Sequence, residues 1–319
     1  MAVYTRVDAE DIEAFLNRYD VGTLVSAKGI AEGVENSNYL LETSANRFIL
    51  TLYEKRVNPD DLPFFLGLLD DLVAAGLPVP PAIRDREGRQ IQTLAGKTAC
   101  LIQFLPGVSI SHPAPTQASA TGRALAQLHK STADYQPFRK NDMGPDHWRE
   151  LARDCGSDGL NAIHPGLADL VMSELDLLYQ TWPANLSISA IHADLFPDNV
   201  LMLGDEVTGL IDFYFSCTDF TAYDIAVTHA AWCFSDDGLT FDSEISDALL
   251  AGYQTVRDIP DAEREALPVL ARGAALRFLL TRAYDWINTP PEAMVTRKDP
   301  IAFLNRLTFY QQHLDIFAV

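Results

Sequence analysis

The sequence predicts an α+β protein of two lobes: a smaller N-terminal lobe built on an antiparallel sheet with one helix, and a larger, mainly helical C-terminal lobe. Three observations predict it. Short runs rich in β-formers and separated by turn clusters recur between Thr23 and Phe104. From Gly107 onward the apolar residues recur at helical spacing. A single β-like interruption, Asn199–Leu203 followed by Val207–Phe213 with Gly204-Asp205 between, breaks the helical part.

In chain order, Asp8 to Tyr19 reads as a helix, with Asp8 placed to cap it and Ile12, Phe15, Leu16 and Tyr19 on one stripe. Thr23–Lys28, Asn38–Thr43 and Arg47–Tyr53 read as strands joined by hairpins, the first through Gly29-Ile30-Ala31-Glu32-Gly33 and the second through Ser44-Ala45-Asn46. Pro59-Asp60-Asp61 suits a first helical turn, because proline lacks the N–H that would go unpaired there and acids favour the positive end of the helix. Leu62, Phe65, Leu66, Leu69, Leu72 and Val73 then form an apolar stripe that Gly76 is placed to end. Strands at Arg89–Leu94 and Thr98–Phe104 follow, with Gly96 in the turn. Helices are predicted at Thr116–Ser131, Pro145–Asp154, Gly166–Thr181, Tyr223–Phe234, Ser243–Arg257, Asp261–Trp286 and Asp299–Phe317. The lobes divide near Gly107, giving 1–106 and 107–319, and such a division makes a cleft of the kind that takes small ligands.

The 319 residues carry a formal charge of −20, and 48% of them are hydrophobic, enough for a packed core. The acid excess argues against nucleic acid and anionic membrane as partners, since both bind through basic faces. No apolar run reaches the roughly 18 residues of a membrane span, and the acidic N-terminus does not read as a signal peptide. Cys100, Cys155, Cys217 and Cys233 are widely spaced and form no CxxC pair. Buried free thiols in a reducing cytoplasm are the expectation. The oligomeric state is not legible.

The most informative stretch is Ala190-Ile191-His192-Ala193-Asp194-Leu195-Phe196-Pro197-Asp198-Asn199-Val200-Leu201, followed by Leu210-Ile211-Asp212-Phe213. An apolar run enters a polar loop, a short strand leaves it, and a second strand delivers an acid. Asp194, Asn199 and Asp212 are thereby expected near one another at a hairpin mouth. They suit phosphoryl transfer: Asp194 as the base for an acceptor hydroxyl, Asn199 and Asp212 as hard oxygen ligands for Mg²⁺. His192 is placed to orient the loop by hydrogen bonds. A metal-hydrolase reading would want more histidine ligands, and the seven histidines form no HxxxH or HxH cluster. His129, on the stripe with Leu125 and Leu128, reads as structural.

The pattern HxDxxxxN followed by an apolar-Asp-Phe resembles the catalytic loop and metal aspartate of the protein-kinase-like fold. His192 to Val200 is most similar to the aminoglycoside phosphotransferase and choline kinase superfamily. Tyr223-Asp224-Ile225-Ala226 and Leu125-Ala126-Gln127-Leu128-His129 match further segments of it. The N-terminal half is similar to the bacterial type II homoserine kinases: Glu32-Gly33-Val34-Glu35-Asn36-Ser37-Asn38-Tyr39, Phe48 to Glu54, Leu62 to Leu66, Gly76-Leu77-Pro78-Val79-Pro80, Leu94-Ala95-Gly96-Lys97 and Phe104-Leu105-Pro106-Gly107. That resemblance implies transfer of the γ-phosphoryl group of ATP, with Mg²⁺, to the hydroxyl of L-homoserine, giving O-phospho-L-homoserine on the route to threonine. It implies a nucleotide site from Gly29, Gly33, Asn36, Ser37 and Ile49, with backbone near Gln103 and Leu105 meeting the adenine. The alternatives are a kinase of the same superfamily for choline, methylthioribose or an aminoglycoside, and an ATP-binding pseudokinase.

One departure stands out. Where many kinases place a lysine on the third strand to grip the phosphates, this chain has Thr51, and the homoserine kinases it resembles also lack that lysine. Arg47 and Lys55 share a strand face with Thr51, so either a phosphate contact or a solvated strand end suits them. Homoserine is a zwitterion, so its carboxylate needs a cation and its ammonium an acid. Arg277 and Arg282 are candidates for the first, about 140° apart on their helix and so not facing one site together; a surface ion pair is the alternative for each. Glu32 and Glu35 are candidates for the second. Tyr214, Trp232 and Trp286 read as core or cleft-wall aromatics.

Overall fold

The computed structural model describes residues 5–30, 36–54, 57–289 and 297–318. The chain divides into a sheet unit, Met1–Gly107 with Thr208–Tyr214, and a helical unit, Val108–Val207 with Phe215–Val319.

The sheet unit holds helix α1 (Ala9–Leu16) and strands β1 (Leu24–Gly29), β2 (Asn36–Thr43), β3 (Arg47–Tyr53), β4 (Gln92–Leu94) and β5 (Lys97–Gln103). The strands lie antiparallel in the order β1-β2-β3-β5-β4. Period-two alternation assigns the faces. Tyr39 and Leu41 pair with Leu50 and Phe48. Together with Leu52 and Leu101 they form a buried layer with Ile12, Phe15 and Leu16 of α1 and with Tyr19. Asp8 sits at the N-cap of α1, but its side chain makes no capping bond, and the helix ends at Leu16 rather than Tyr19.

Helix α2 (Leu62–Ala74) follows a short 3₁₀ turn at Pro59–Asp61, where the Asn58 side chain accepts from the Asp60 N–H. Leu62, Phe65, Leu66, Leu69 and Leu72 are buried as expected, but Val73 falls off the stripe and is exposed. Gly76 ends the helix with φ +85°, a conformation that only glycine adopts without strain. Its N–H donates to the Val73 carbonyl and the Leu77 N–H to the Leu72 carbonyl, the two bonds of a Schellman end.

The helical unit holds α3 (Pro115–Ser131), α4 (Pro145–Cys155), α5 (Ser157–Ile163) and α6 (Leu167–Thr181), then α7 (Thr221–Trp232), α8 (Ser243–Gln254), α9 (Asp261–Asn288) and α10 (Ile301–Gln312). Strand β6 (Ile188–Ile191) leads into the polar loop, which ends in a 3₁₀ turn at Pro197–Asn199. Strands β7 (Val200–Leu203) and β8 (Glu206–Leu210) form the hairpin that follows. Then β9 (Cys217–Phe220) pairs antiparallel with β6, Ile191 opposite Cys217. The sequence did not announce α5, β6 or β9, since a four-residue strand paired with a partner far along the chain has too few alternations to read. The strand expected at Val207–Phe213 stops at Leu210. Asp212 has φ +66° and lies in the turn before a 3₁₀ segment at Phe213–Phe215.

Two features position the chemistry. Every residue of α7 is buried. Helices α3 and α8 cross at glycines: a Cβ on Gly122 would collide with the Leu249 carbonyl, and one on Gly252 with the Ser119 carbonyl. That close approach brings His129 at the end of α3 within reach of Tyr253 at the end of α8.

Candidate active site

The loop 192–199 is held at almost every peptide. Ala193 adopts φ +63°, a left-handed conformation that costs about 1–2 kcal/mol for a residue with a Cβ, so neighbouring groups must hold it. The Asp224 carboxylate on α7 accepts from the His192 N–H at 2.7 Å and the Ala193 N–H at 2.8 Å. Arg277 on α9 donates to the Ala193 carbonyl, and Trp232 at the end of α7 donates to the Leu195 carbonyl at 2.9 Å. The Asp194 N–H reaches His192 Nδ1 at 3.3 Å, which gives His192 the orienting place expected of it. Asp194 itself is half-buried, with Asn199 Nδ2 donating to its carbonyl at 2.8 Å and to its Oδ2 at 3.3 Å.

Behind the loop runs a directional chain of buried bonds. Glu263 takes both arms of the Arg257 guanidinium at 2.7 and 2.8 Å. Arg257 also donates to the Tyr253 hydroxyl oxygen at 3.1 Å, so the hydroxyl hydrogen is left for His129 Nδ1, 2.8 Å away. His129 then carries its hydrogen on Nε2 and donates to Asp224 Oδ2 at 3.0 Å. In this arrangement every buried hydrogen along the chain has a partner. Burial alone would raise the Asp224 pKa. The bonds donated by His129 and the His192 peptide outweigh it and hold the carboxyl below its ordinary range. His129 is thus structural, as expected, but what it supports is the loop.

On the sheet unit, Thr51 occupies the third-strand position and is 3% exposed, its hydroxyl donating to Asn38 Oδ1 at 2.8 Å. The Tyr53 and Tyr214 hydroxyls meet at 3.2 Å. Tyr53, Tyr214 and Asp212 line one small cavity with Phe65, Leu66 and Leu69 of α2. Burial raises the pKa of both tyrosines, so they stay protonated and uncharged. Asn36 and Ser37 are buried. Ser37 donates to Glu54 at 2.8 Å, and Glu54 is paired with Lys97 at 2.9 Å. Gly29 ends β1 opposite Tyr39, Ile49 pairs with Ile102, and Gln103 closes β5 with its N–H on the Pro81 carbonyl. Leu105 lies half-buried just after it. Arg47 stacks on Phe104 at 4.4 Å. Glu32, Gly33, Glu35 and Lys55 lie outside the described residues.

Among the described residues no group of three His, Cys, Asp or Glu side chains is clustered as for a metal. The donor chemistry nonetheless fits a hard cation. The Asn199 amide nitrogen is committed to Asp194, which turns its oxygen, a hard donor of the kind Mg²⁺ takes, away from that bond.

The two arginines of α9 part company. Arg277 is 2% exposed, bonded to Ala193 and flanked by the Phe215 and Phe278 rings. Arg282 is half-buried, stacked at 4.5 Å on Phe303 and donating to the Asp299 carbonyl at 3.2 Å. Sequence reasoning missed Asp224 and Tyr253 as supports of the loop and took Trp232 for a core aromatic. One signal was present: Asp224 is the one acidic residue of a helix with no Glu, Lys or Arg.

A family model described as a phosphotransferase enzyme family matches residues 26–265, which include the loop, Asp212 and Asp224. The chain belongs to the phosphotransferase enzyme family. Within that family it is 52% identical over 313 residues to a homoserine kinase of Zymomonas mobilis, covering 98% of both chains. It is 53% identical over 312 residues to a homoserine kinase of Acidiphilium cryptum, covering 98% of this chain and 97% of the relative. Among solved structures, an amicoumacin kinase superposes with a TM-score of 0.74 at 15% identity, covering 96% of this chain and 94% of the other. A microcompartment-associated aminopropanol kinase superposes with a TM-score of 0.70 at 21% identity, covering 97% and 98%. Those likenesses establish the protein-kinase-like fold, with its five-stranded antiparallel sheet and helical remainder. Among the described residues no helix is long and apolar enough to cross a membrane.

Proposed function

We propose that this chain is a homoserine kinase, which transfers the γ-phosphoryl group of MgATP to the side-chain hydroxyl of L-homoserine and releases ADP. The observation that carries the reading is half-identity to homoserine kinases over nearly the whole of both chains. The N-terminal segments that distinguish subclasses are included in that span, so the likeness is not confined to a shared catalytic loop.

In this reading Asp194 accepts the hydroxyl proton, or orients the hydroxyl, as the phosphoryl group transfers. Such general-base help contributes about 10²–10⁴-fold. Asn199 fixes the rotamer of that carboxylate, while Asp224, Arg277 and Trp232 hold the peptides around it, so little reorganisation remains for the reaction itself. Asn199 Oδ1 and Asp212 are the proposed Mg²⁺ ligands; the ion, when bound, supplies positive charge to the phosphates. Gly29, Ile49 and the backbone at Gln103 and Leu105 are the proposed nucleotide contacts. Four buried free thiols fit a reducing cytoplasm.

The test is ADP release by the purified protein with MgATP and a panel of L-homoserine, L-serine, L-threonine, choline, ethanolamine and an aminoglycoside. The reading expects the highest kcat/KM with L-homoserine. A higher value with choline or the aminoglycoside would replace it with the corresponding kinase.

A further inference from the structure

Several cations come from α9, α10 and the residues just before α10, and their bonds sort them. Arg277 spends its charge on the Ala193 carbonyl. Arg306 donates through all three nitrogens, to the carbonyls of Ala230, Ala302 and Ser235. Lys298 lies 3.5 Å from Asp198 and over the Phe196 ring. Arg297 is taken up by the Trp286 carbonyl and ring. Arg282 differs from all of these. Its one hydrogen bond among the described residues goes from Nη1 to a carbonyl, and no carboxylate pairs with it. Burial, with the charge of Arg306, pushes its pKa down to about 10, although Asp194 and Asp198 act on it from the loop.

This guanidinium is also held in place. It stacks on Phe303, and Phe303 packs against Phe278 at 5.0 Å and against Phe196 of the loop at 6.1 Å. Phe196 lies two residues beyond Asp194. A chain of rings therefore ties a planar, half-buried fork with spare donors to the loop that carries the base. Such a fork matches a carboxylate. In homoserine only a short carbon chain separates the carboxylate from the hydroxyl that must meet Asp194.

Resting on the homoserine reading above, we propose that Arg282 binds the α-carboxylate of the acceptor and so sets the preference for an amino acid over a simple amino alcohol. Arg277, the other arginine of the same helix, is a positioning residue for the loop and does not read the substrate.

The experiment compares wild type with Arg282→Gln and Arg282→Lys, using L-homoserine and 3-amino-1-propanol, which is homoserine without its carboxylate. Thermal midpoints are recorded for all three proteins. The expected result is a KM for L-homoserine raised about 10- to 100-fold in Arg282→Gln. The KM values for ATP and for 3-amino-1-propanol stay where they are, so the wild-type preference between the two acceptors collapses. Arg282→Lys keeps the charge without the fork and falls between. An unmoved homoserine KM, equal losses on both acceptors, or a raised ATP KM would each overturn the assignment. Arg282→Gln with a much lowered midpoint, joined by Arg282→Lys with wild-type midpoint and wild-type homoserine KM, would also overturn it. Wild type that does not turn over L-homoserine overturns the functional reading itself, an outcome distinct from turnover that Arg282→Gln leaves unchanged.

Discussion

Replacing Tyr253 with phenylalanine removes one oxygen from the middle of the chain Glu263–Arg257–Tyr253–His129–Asp224 and changes nothing in shape. Two bonds vanish, the 2.8 Å bond to His129 Nδ1 and the 3.1 Å bond from Arg257. Arg257 keeps both bonds to Glu263, so its loss is small. His129 is fully buried, and its Nδ1 is left facing a ring edge. A neutral hydrogen bond contributes about 1 kcal/mol, and an unpaired buried acceptor costs about 1–3 kcal/mol. Tyr253→Phe should therefore lower unfolding free energy by about 2–3 kcal/mol in urea titration, with an unchanged m-value. The second consequence separates a support of the loop from a core contact. Without the Tyr253 hydroxyl the Asp224 carboxylate still keeps the His129 hydrogen on Nε2, but the ring loses its second anchor and Asp224 a firmly placed donor. The kcat should fall about 3- to 10-fold with the KM for ATP unchanged. In ¹⁵N spectra the His129 Nδ1 resonance should shift as its hydrogen bond is lost, with Nε2 still protonated. A stability loss below about 0.5 kcal/mol, or a full stability loss with wild-type kcat and an unshifted ring, would refute the reasoning.

Other perturbations act on the same framework. Gly122→Ala drives a methyl group into the Leu249 carbonyl, so α3 and α8 must separate; a loss of about 1–3 kcal/mol in urea titration is expected, with a lower kcat as His129 moves from Tyr253. His229 is fully buried between Tyr310 and Ser246, and burial lowers its pKa from 6.5 to about 3. The unfolded chain therefore binds this proton more readily, and stability falls as pH drops below about 6.5 toward 3. Between pH 8 and pH 5 this one residue should cost about 2 kcal/mol, and His229→Gln should remove that part of the pH dependence in denaturation curves taken at each pH. Asn199→Ala should raise the Mg²⁺ concentration needed for half-maximal rate and lower kcat together, because the residue both offers an oxygen and holds Asp194.

How much of this was legible follows from the range over which each signal acts. The strands β2 and β3, the stripe of α2 and the long α9 repeat their apolar residues locally, and the structure places them within a residue or two of expectation. Strands β6 and β9 are four residues each and depend on one another across the loop, so neither has a local pattern. Asp212 was placed on a strand because Leu210 and Phe213 flank it with apolar groups, whereas the turn takes it into a positive φ. The loop residues Asp194 and Asn199 were legible because their chemistry dictates their type and spacing. Their supports were not: Asp224, Tyr253 and Arg277 come from three different helices, and nothing in a linear spacing records that they converge. Arg277 and Arg282 looked equivalent as letters, and burial and bonding partners separate them.

The central claim is that the carboxylate held by this loop serves transfer of the γ-phosphoryl group of ATP to the hydroxyl of L-homoserine. The most direct measurement is the ³¹P spectrum of the product after incubation of the purified protein with MgATP and L-homoserine, with mass analysis of the same sample. The account predicts one new phosphate monoester resonance, coupled to the γ-methylene protons of homoserine and stoichiometric with ADP. Inorganic phosphate alone beside ADP, or a phosphorylated product on another acceptor with none on homoserine, would contradict it.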